Sequence, residues 1–338
     1  MSAKKTEEKK KLRPLRMILR ILGGILAALL LALLVMFLIP LTETGDQTPV
    51  EGSADWMARL DDSTPLDAVV IPGTHDSGTE YVQLAFFSKC QAKDIAGQLE
   101  AGYRYLDIRL AVDGEGMKLM HGFTNCRSGA MPWNSTLTLD EVLEDCYVFL
   151  AEHPTETVIF AVKQEHGDES VAEFEQTLNT YVQKEPEFWL LTDSIPTVGE
   201  ARGKIVLLRR YEDEAGLGSD AGISLLWENQ NGHEDVSLNT AREDNGSYTL
   251  WVQDRYEYGT EDKWAAFCAG LEKAEAGDGN VAIHFLSTKG TATFGHPYRY
   301  ARALNKKLME QEALSGWIVV DFGSAALAEH IYQANFCG

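Results

Sequence analysis

Short, nearly all-apolar runs alternate with longer amphipathic segments from about residue 65 to the C terminus, and this alternation restricts the fold more than any other feature. Runs such as TVIFAV, KIVLLR and GWIVVD carry apolar side chains on both faces, which is typical of parallel strands covered on both sides. Parallel neighbours need long crossover connections, usually helices. The pattern therefore predicts an α/β fold around a parallel sheet.

The alternation can be counted. The predicted strands are 68–71, 104–109, 118–121, 157–162, 204–209, 250–253, 280–285 and 316–321. The predicted helical segments are 94–102, 138–152, 169–183, 261–276, 297–314 and 324–335. Thr138 and Glu141 have the spacing of a capping box, and the second helical segment stops before Pro154. About eight β/α alternations predict a (β/α) barrel, whose active site lies at the C-terminal ends of the strands.

Charged and hydrogen-bonding residues lie at the ends of seven of these strands. They are His75 and Asp76, Asp107 and Arg109, His121, Lys163, Arg210, Asp254 and Tyr256, and Asp321. Asp107 and Arg109 are two residues apart, so their side chains share one face of a strand. The barrel therefore predicts one polar rim built from these groups.

Two histidines, an arginine and several carboxylates match the needs of phosphodiester cleavage without a metal ion. A neutral His takes a proton from the attacking hydroxyl, and a protonated His gives one to the leaving oxygen. Arg stabilises charge on the non-bridging oxygens, and carboxylates fix the histidine tautomers. Each residue alone is weak support, because a lone His after a strand is usually structural and an Asp there usually caps a helix. The remaining histidines are predicted to be surface or structural: His153, His166, His233, His284, His296 and His330.

The N terminus indicates a membrane. Residues 1–20 carry eight basic groups and two acidic ones, and an apolar run without charge follows from 21 to 39. Its length is close to the roughly 20 residues that a helix needs to cross a bilayer. We predict a basic cytoplasmic segment at 1–20, a transmembrane signal-anchor helix at 21–40, a linker at 41–54 and an extracytoplasmic catalytic domain at 55–338, in a single-pass cell-membrane protein. A cleaved signal peptide, giving a secreted protein, is the alternative; Pro40-Leu41-Thr42 lacks the small-residue cleavage pattern.

Charge and cysteine usage narrow the function classes further. Residues 21–338 hold 22 basic and 49 acidic groups, and a surface this acidic repels nucleic acid. The five cysteines are Cys90, Cys126, Cys146, Cys268 and Cys337; they show no C-x-x-C and no zinc spacing. Because their number is odd, at least one is a free thiol or pairs between chains, while one disulfide and plain buried thiols both stay open.

Taken in order, the motifs resemble the bacterial phosphatidylinositol-specific phospholipase C family. They are IPGTHDSGT, DIR, HG, ETVIFAVKQE, ARGKIVLLRRY, WVQDRY and VVDF, and the resemblance runs from Pro65 to Asn335. It implies an irregular TIM barrel and a reaction in which the inositol 2-hydroxyl attacks phosphorus. The products implied are diacylglycerol and inositol 1,2-cyclic phosphate.

The resemblance also implies roles for individual residues. His75 is implied as the general base and His121 as the general acid, with Arg109 as the phosphate clamp. Asp321 resembles the carboxylate that supports His75, and Asp76 the one that works with His121.

Other matched positions belong to the inositol side of the site. Lys163, Arg210, Asp254 and Tyr256 match positions that hold the inositol ring, and Asp107 matches a structural or polarising carboxylate at the base of the site. The substrate implied is phosphatidylinositol or a glycosyl-inositol lipid, and we expect an unphosphorylated inositol because no extra basic groups are evident.

The family reaction needs no metal and no other cofactor. Calcium-dependent relatives have extra carboxylates where Arg109 stands, so Arg109 argues against a catalytic calcium. Family members contact membranes through rim aromatics, for which Phe86, Phe87 and Phe294 are the candidates here. We predict a monomer that contacts a membrane and no nucleic acid.

Two other functions remain open from the sequence. A glycerophosphodiester phosphodiesterase is also a barrel, but it usually holds a metal with Glu and Asp and has an early His-Arg pair, whereas this chain has His75-Asp76. A non-catalytic module that binds inositol lipids at the cell surface would not need two opposed histidines.

Overall fold

The computed structural model of the protein describes residues 2–231, 241–244, 246–292 and 295–337. The chain divides into two compact units, Met1–Thr42 and Glu43–Gly338. The predicted linker at 41–54 therefore lies mostly within the second unit, where Glu43 is buried.

The first unit is one helix, α1 (Ser2–Leu38), followed by a short 3-10 turn, Ile39–Thr42. Arg16–Thr42 is long and apolar enough to cross a membrane, and none of its most apolar stretch is buried inside the protein. A signal sequence and a membrane anchor both have these properties.

The second unit contains the sheet and the remaining helices. Its described strands are β1 (Ile71–Thr74), β2 (Tyr105–Asp113), β3 (Gly116–His121), β4 (Thr124–Asn125), β5 (Thr157–Gln164), β6 (Trp189–Leu190), β7 (Lys204–Arg209), β8 (Ile223–Ser224), β9 (Ala241–Asp244), β10 (Thr249–Gln253), β11 (Asn280–Phe285) and β12 (Trp317–Val320). Its described helices are α2 (Ala85–Ser88), α3 (Ile95–Glu100), α4 (Leu139–Glu152), α5 (Val171–Val182), α6 (Val198–Ala201), α7 (Thr260–Lys273), α8 (Pro297–Leu308) and α9 (Ala325–Gln333).

The parallel strands follow the order β7-β5-β2-β1-β12-β11-β10. β6 and β8 both pair in parallel with β7, and β9 pairs antiparallel with β10. Among the described residues no ladder joins β8 to β10. The α/β fold predicted from the sequence, an irregular TIM barrel preceded by one apolar N-terminal helix, is confirmed.

The strand predicted at 118–121 is real but is not a barrel strand. β3 pairs antiparallel with β2, with Leu119 opposite Leu110 and Gly116 opposite Asp113. The reason is the tight turn between them, where Gly114 has a φ of 66°, a conformation that favours glycine in hairpin turns. β2 therefore continues past its pairing with β5, and β3 returns His121 to the level of the rim.

Other details of the elements differ from the prediction. The first strand begins at Ile71 rather than at residue 68, because Leu66–Ala68 forms a 3-10 turn after Pro65. The two-residue strand β8 was not predicted. The capping box of Thr138 and Glu141 is present at the start of α4.

In β2, β5, β7 and β12, alternate residues belong to different hydrophobic clusters. One set, which includes Tyr105, Ala161, Val252 and Val319, fills the barrel interior. The other set packs against the helices that surround the barrel, with β5 against α4 and α5, and β12 against α8 and α9. This alternation fixes which face of each strand end reaches the interior.

Candidate active site

In several strands, the side chains that point into the barrel change from apolar to charged at the C-terminal end. In β2 it runs Tyr105, Asp107, Arg109, because successive inward positions are two residues apart. Four other strands show the same spacing, with an inward apolar residue followed two positions later by a charged one. The pairs are Ala161 and Lys163, Leu208 and Arg210, Val252 and Asp254, and Val319 and Asp321. The charged groups therefore form the top layer of the barrel interior.

His75 follows β1 and is fixed by several contacts. Its Nδ1 lies 2.8 Å from Oδ1 of Asp321. Its backbone N–H donates to the carbonyl of Val320, and the side chain of Gln91 donates to the carbonyls of both His75 and Val320. With Nδ1–H donating to the carboxylate, Nε2 is left facing the cavity.

Asp76 lies at the centre of the site. It has a left-handed backbone, with a φ of 45°, and its N–H donates to Oδ2 of Asp107. Its Oδ2 is 3.1 Å from Nε2 of His75 and 3.2 Å from Nε2 of His121, while its Oδ1 is 2.9 Å from Nε of Arg109. One fully buried carboxylate thus contacts both histidines and the arginine.

His121 reaches the site from the β2–β3 hairpin. Its Nδ1 lies 2.8 Å from the carbonyl of Ser88 and so acts as a donor there. The ring centroids of His75 and His121 are 6.2 Å apart and the rings are nearly perpendicular. Cys90 also borders this pair, with Sγ 3.9 Å from Nδ1 of His121.

Arg109 and Arg210 are both anchored by Asp107. Oδ2 of Asp107 accepts from Arg109 at 3.1 Å and Oδ1 accepts from Arg210 at 3.0 Å. Burial alone would raise the pKa of Asp107, but the two guanidinium groups hold it well below its usual range. Arg109 also donates to Nε2 of His75 at 2.9 Å, and it stays charged because Asp107 and Asp76 raise its pKa despite burial.

The pKa of His75 is raised above its ordinary value. Burial by itself would lower it, but the charges of Asp76 and Asp321, with the hydrogen bond to Asp321, outweigh that effect, and Arg109 opposes them in part. His75 is therefore a stronger base than an isolated imidazole.

The site opens into a cavity of about 640 Å³. The predicted residues that line it are His75, Arg109, His121, Lys163, Arg210, Asp254, Tyr256, Asp321 and Phe87. Arg210 stacks on Trp227 at 3.9 Å, and the indole N–H of Trp227 lies 3.4 Å from Oδ2 of Asp254. Lys163 pairs with Glu165 at 2.8 Å.

Sequence reasoning missed several residues of this cavity, among them Glu165, Trp227 and Cys90. Glu165 lies two residues after Lys163, so the strand spacing carried a signal for it; burial would raise its pKa, but Arg109 and Lys163 lower it. Trp227 and Cys90 lie in loops, where no periodic pattern pointed to them.

The structure describes two of the three predicted membrane-contact residues. Phe86 and Phe87 are half-buried, and Phe86 stacks on His296 at 4.2 Å. Phe294 lies outside the described residues. The strongly exposed apolar side chains of the second unit include Leu84 and Phe123, which line the cavity, and Trp133, which is 80% exposed.

Five of the six remaining histidines are described, and none of these five lines the cavity. His284 is fully buried, His166 is exposed, and His153, His296 and His330 are half-buried with carboxylate or carbonyl partners. His233 lies outside the described residues. All five cysteines are within the described part of the chain and are free thiols.

The chain is similar to known proteins in sequence and in fold. The family model of the phosphatidylinositol-specific phospholipase C X domain matches residues 63–211. The 1-phosphatidylinositol phosphodiesterase of Staphylococcus aureus strain Newman is 29% identical over 289 residues, which cover 79% of this chain and 88% of that protein.

Two solved structures share the fold. A phosphatidylinositol-specific phospholipase C from Staphylococcus aureus superimposes with a TM-score of 0.69 and 26% identity, covering 83% of this chain and 97% of that one. The enzyme from Listeria monocytogenes gives a TM-score of 0.62 at 25% identity, covering 84% and 98%. This chain is therefore similar to bacterial phosphatidylinositol-specific phospholipases C in sequence and fold over most of its length, and its residues 63–211 match the X domain of that family.

Proposed function

We propose that this chain cleaves the phosphodiester of phosphatidylinositol without a metal ion, giving diacylglycerol and inositol 1,2-cyclic phosphate. The observation that carries the proposal is the pair of nearly perpendicular imidazoles on one cavity, both in contact with the carboxylate of Asp76, which also binds Arg109. The names of the relatives, which describe the same phosphodiesterase activity, support it.

His75 acts as the general base. Its Nδ1–H is held by Asp321, so its Nε2 lone pair takes the proton of the inositol 2-hydroxyl as that oxygen attacks phosphorus. The imidazolium that forms is stabilised by Asp321 and Asp76, which already raise the pKa of His75. A general base contributes roughly 10²–10⁴-fold to a rate.

His121 acts as the general acid. Its Nδ1 is bound to the Ser88 carbonyl, so its Nε2–H is the proton that reaches the leaving diacylglycerol oxygen. Oδ2 of Asp76 lies 3.2 Å from this Nε2 and holds the ring in place. Arg109 stabilises the charge that develops on the non-bridging phosphate oxygens.

The wall of Lys163, Arg210, Asp254 and Tyr256 binds the inositol ring. Its charged groups offer both donors and acceptors to ring hydroxyls, and they are held by Asp107, Glu165 and Trp227 before substrate arrives. Preorganised polar partners give specificity for hydroxyl-bearing ligands. We expect unphosphorylated inositol in the lipid head group.

The exposed apolar side chains at the cavity mouth contact the lipid surface. Leu84 and Phe123 line the cavity yet are 58% and 64% exposed. The hairpin that carries Trp133 hydrogen-bonds to the segment leading into Leu84. Membrane binding is described for the Staphylococcus aureus enzyme, and apolar rim groups of this kind insert into the interfacial region.

The apolar N-terminal helix anchors the protein, with the second unit on the extracytoplasmic side. The eight basic groups within residues 1–20 favour the cytoplasmic side for that end. Cys337 is exposed near the C terminus, so a membrane-impermeant maleimide should label intact cells and should not label cells carrying Cys337→Ser. Labelling only after lysis would place the second unit in the cytoplasm.

The activity is tested with the full chain in mixed micelles of phosphatidylinositol and detergent with excess EDTA, with products followed by phosphorus NMR. We expect a cyclic inositol phosphate signal that is lost in His75→Ala and kept in His153→Ala, a matched substitution outside the cavity. Activity that only added calcium restores would favour a metal-dependent phosphodiesterase. Inositol-lipid binding without any product would indicate a non-catalytic module.

A further inference from the structure

The acid–base pair has a thiol beside it that the proposed reaction does not use. Cys90 is 1% exposed and borders the cavity. Its Sγ lies 3.9 Å from Nδ1 of His121. One ligand atom from each of His75, Asp76 and Cys90 lies within 4.8 Å of the others. Nε2 of His121 adds a fourth donor 3.2 Å from Asp76.

This donor set has a definite metal preference. Two imidazoles, one thiol and one carboxylate are the ligands of zinc and similar borderline or soft cations, whereas calcium and magnesium prefer sets made of oxygen alone. Ligand distances of about 2.0–2.3 Å around zinc require donors a few ångströms apart. Asp76 already lies 3.1 and 3.2 Å from Nε2 of His75 and His121, and the ligand atoms of His75, Asp76 and Cys90 lie within 4.8 Å of one another, so small side-chain movements bring them around one ion.

The charges around the cluster also suit a cation. Asp107 and Asp321 lie within 4.0 Å of the ring of His75, and Asp76 is itself a ligand. Arg109 opposes a cation because it donates to Nε2 of His75. The guanidinium of Arg109 also pairs with Asp107 and Glu165, so its charge stays paired when it gives up the contact with His75.

We infer that the catalytic centre of this chain is also an inhibitory site for a zinc-class divalent cation, bound by His75, Asp76 and Cys90 with His121 as a further ligand. The thiol of Cys90 releases its proton to solvent on binding. The cation takes the lone pair of the base and prevents proton transfer. The inhibitory part of this inference rests on the proposed function, and the binding part does not.

Binding is tested directly with cobalt(II), which substitutes for zinc and gives a thiolate charge-transfer absorption in the near ultraviolet. The full chain is compared with Cys90→Ala and with Cys146→Ala, a matched control whose thiol is equally buried in α4. We expect the band in the parent and in Cys146→Ala, and a loss of it in Cys90→Ala. An unchanged band in Cys90→Ala would overturn the assignment, whatever the enzyme's activity.

Inhibition is tested by titrating zinc into the mixed-micelle assay. Loss of a supporting residue around a metal typically costs about 10–100-fold in affinity. Cys90→Ala loses a ligand, so its half-inhibitory zinc concentration should be at least about tenfold higher than that of the parent. Each variant is normalised to its own uninhibited rate. Cys146→Ala should behave as the parent, and EDTA should reverse the inhibition. Equal zinc sensitivity of parent and Cys90→Ala would refute the inference.

Discussion

Asp76 contacts both histidines and Arg109, and Asp76→Asn is the sharpest test of the mechanism. The amide keeps the size of the side chain and removes its charge. At 3.2 Å from His121 and with an effective dielectric of about 20, the lost attraction for an imidazolium is about 5 kcal/mol. A general acid contributes roughly 10²–10⁴-fold, which is about 3–5 kcal/mol of barrier. We expect the maximal rate to decrease by roughly 10²–10⁴-fold.

The same substitution should move the pH profile in a defined direction. Asp76 is the first of the charges that raise the pKa of His75 against the effect of burial, so its removal lowers that pKa. The base must be neutral to act, and kcat/KM therefore rises with pH through the pKa of His75. The acid limb of the Asp76→Asn profile should lie at lower pH than that of the parent.

Both effects are measured by following cyclic product in mixed micelles across pH, with EDTA present. Asp113→Asn, an exposed carboxylate at the β2–β3 turn, is the matched control and should leave rate and profile unchanged. An acid limb that stays in place or moves to higher pH would refute the assignment of His75 as the base. A near-normal rate would refute the role of Asp76 beside the acid.

Three further substitutions test other parts of the structure. Arg109→Lys replaces a planar fork by a point charge and should lower kcat by about 10²-fold; a rate near that of the parent would remove Arg109 from phosphate stabilisation. Trp227→Ala removes the ring beneath Arg210, an interaction worth about 0.5–2 kcal/mol. It should raise KM several-fold with little change in kcat. A lower kcat with an unchanged KM would contradict an inositol-binding role. Glu156→Ala leaves the fully buried Arg104 without its carboxylate and should reduce the free energy of unfolding by about 3–5 kcal/mol, measured by denaturant titration; an unchanged midpoint would show that Arg104 is satisfied by carbonyls alone.

The sequence predicted the barrel because its strongest signals are local. All-apolar runs such as β5 and β7 can only be strands covered on both faces, and the capping box at Thr138 fixes a helix start without any tertiary information. The inward spacing within β2 also predicts that Asp107 and Arg109 share one face. These features depend on neighbours in the chain.

The parts that the sequence did not predict depend on pairing at long range. β3 has the composition of a strand, but its antiparallel partner is chosen by the turn at Gly114. Trp227 reaches the cavity from a loop after β8, a strand of two residues without a periodic signal. Cys90 becomes a neighbour of His121 only because the loop of Ser88 meets the returning hairpin.

The charged layer at the top of the barrel is better explained by chemistry than by stability. Asp76, Asp107 and Asp321 are buried beside Arg109 and Arg210, and removing charges from water costs several kcal/mol for each ion before their attraction is counted. Apolar side chains would close the barrel at least as well, as they do in the layers below. The pairing of every charge before substrate binds instead fixes the orientation of the two imidazoles and the guanidinium, so little reorganisation remains when the phosphate changes its charge. That is why neutralising one carboxylate should disturb the rate and its pH dependence together.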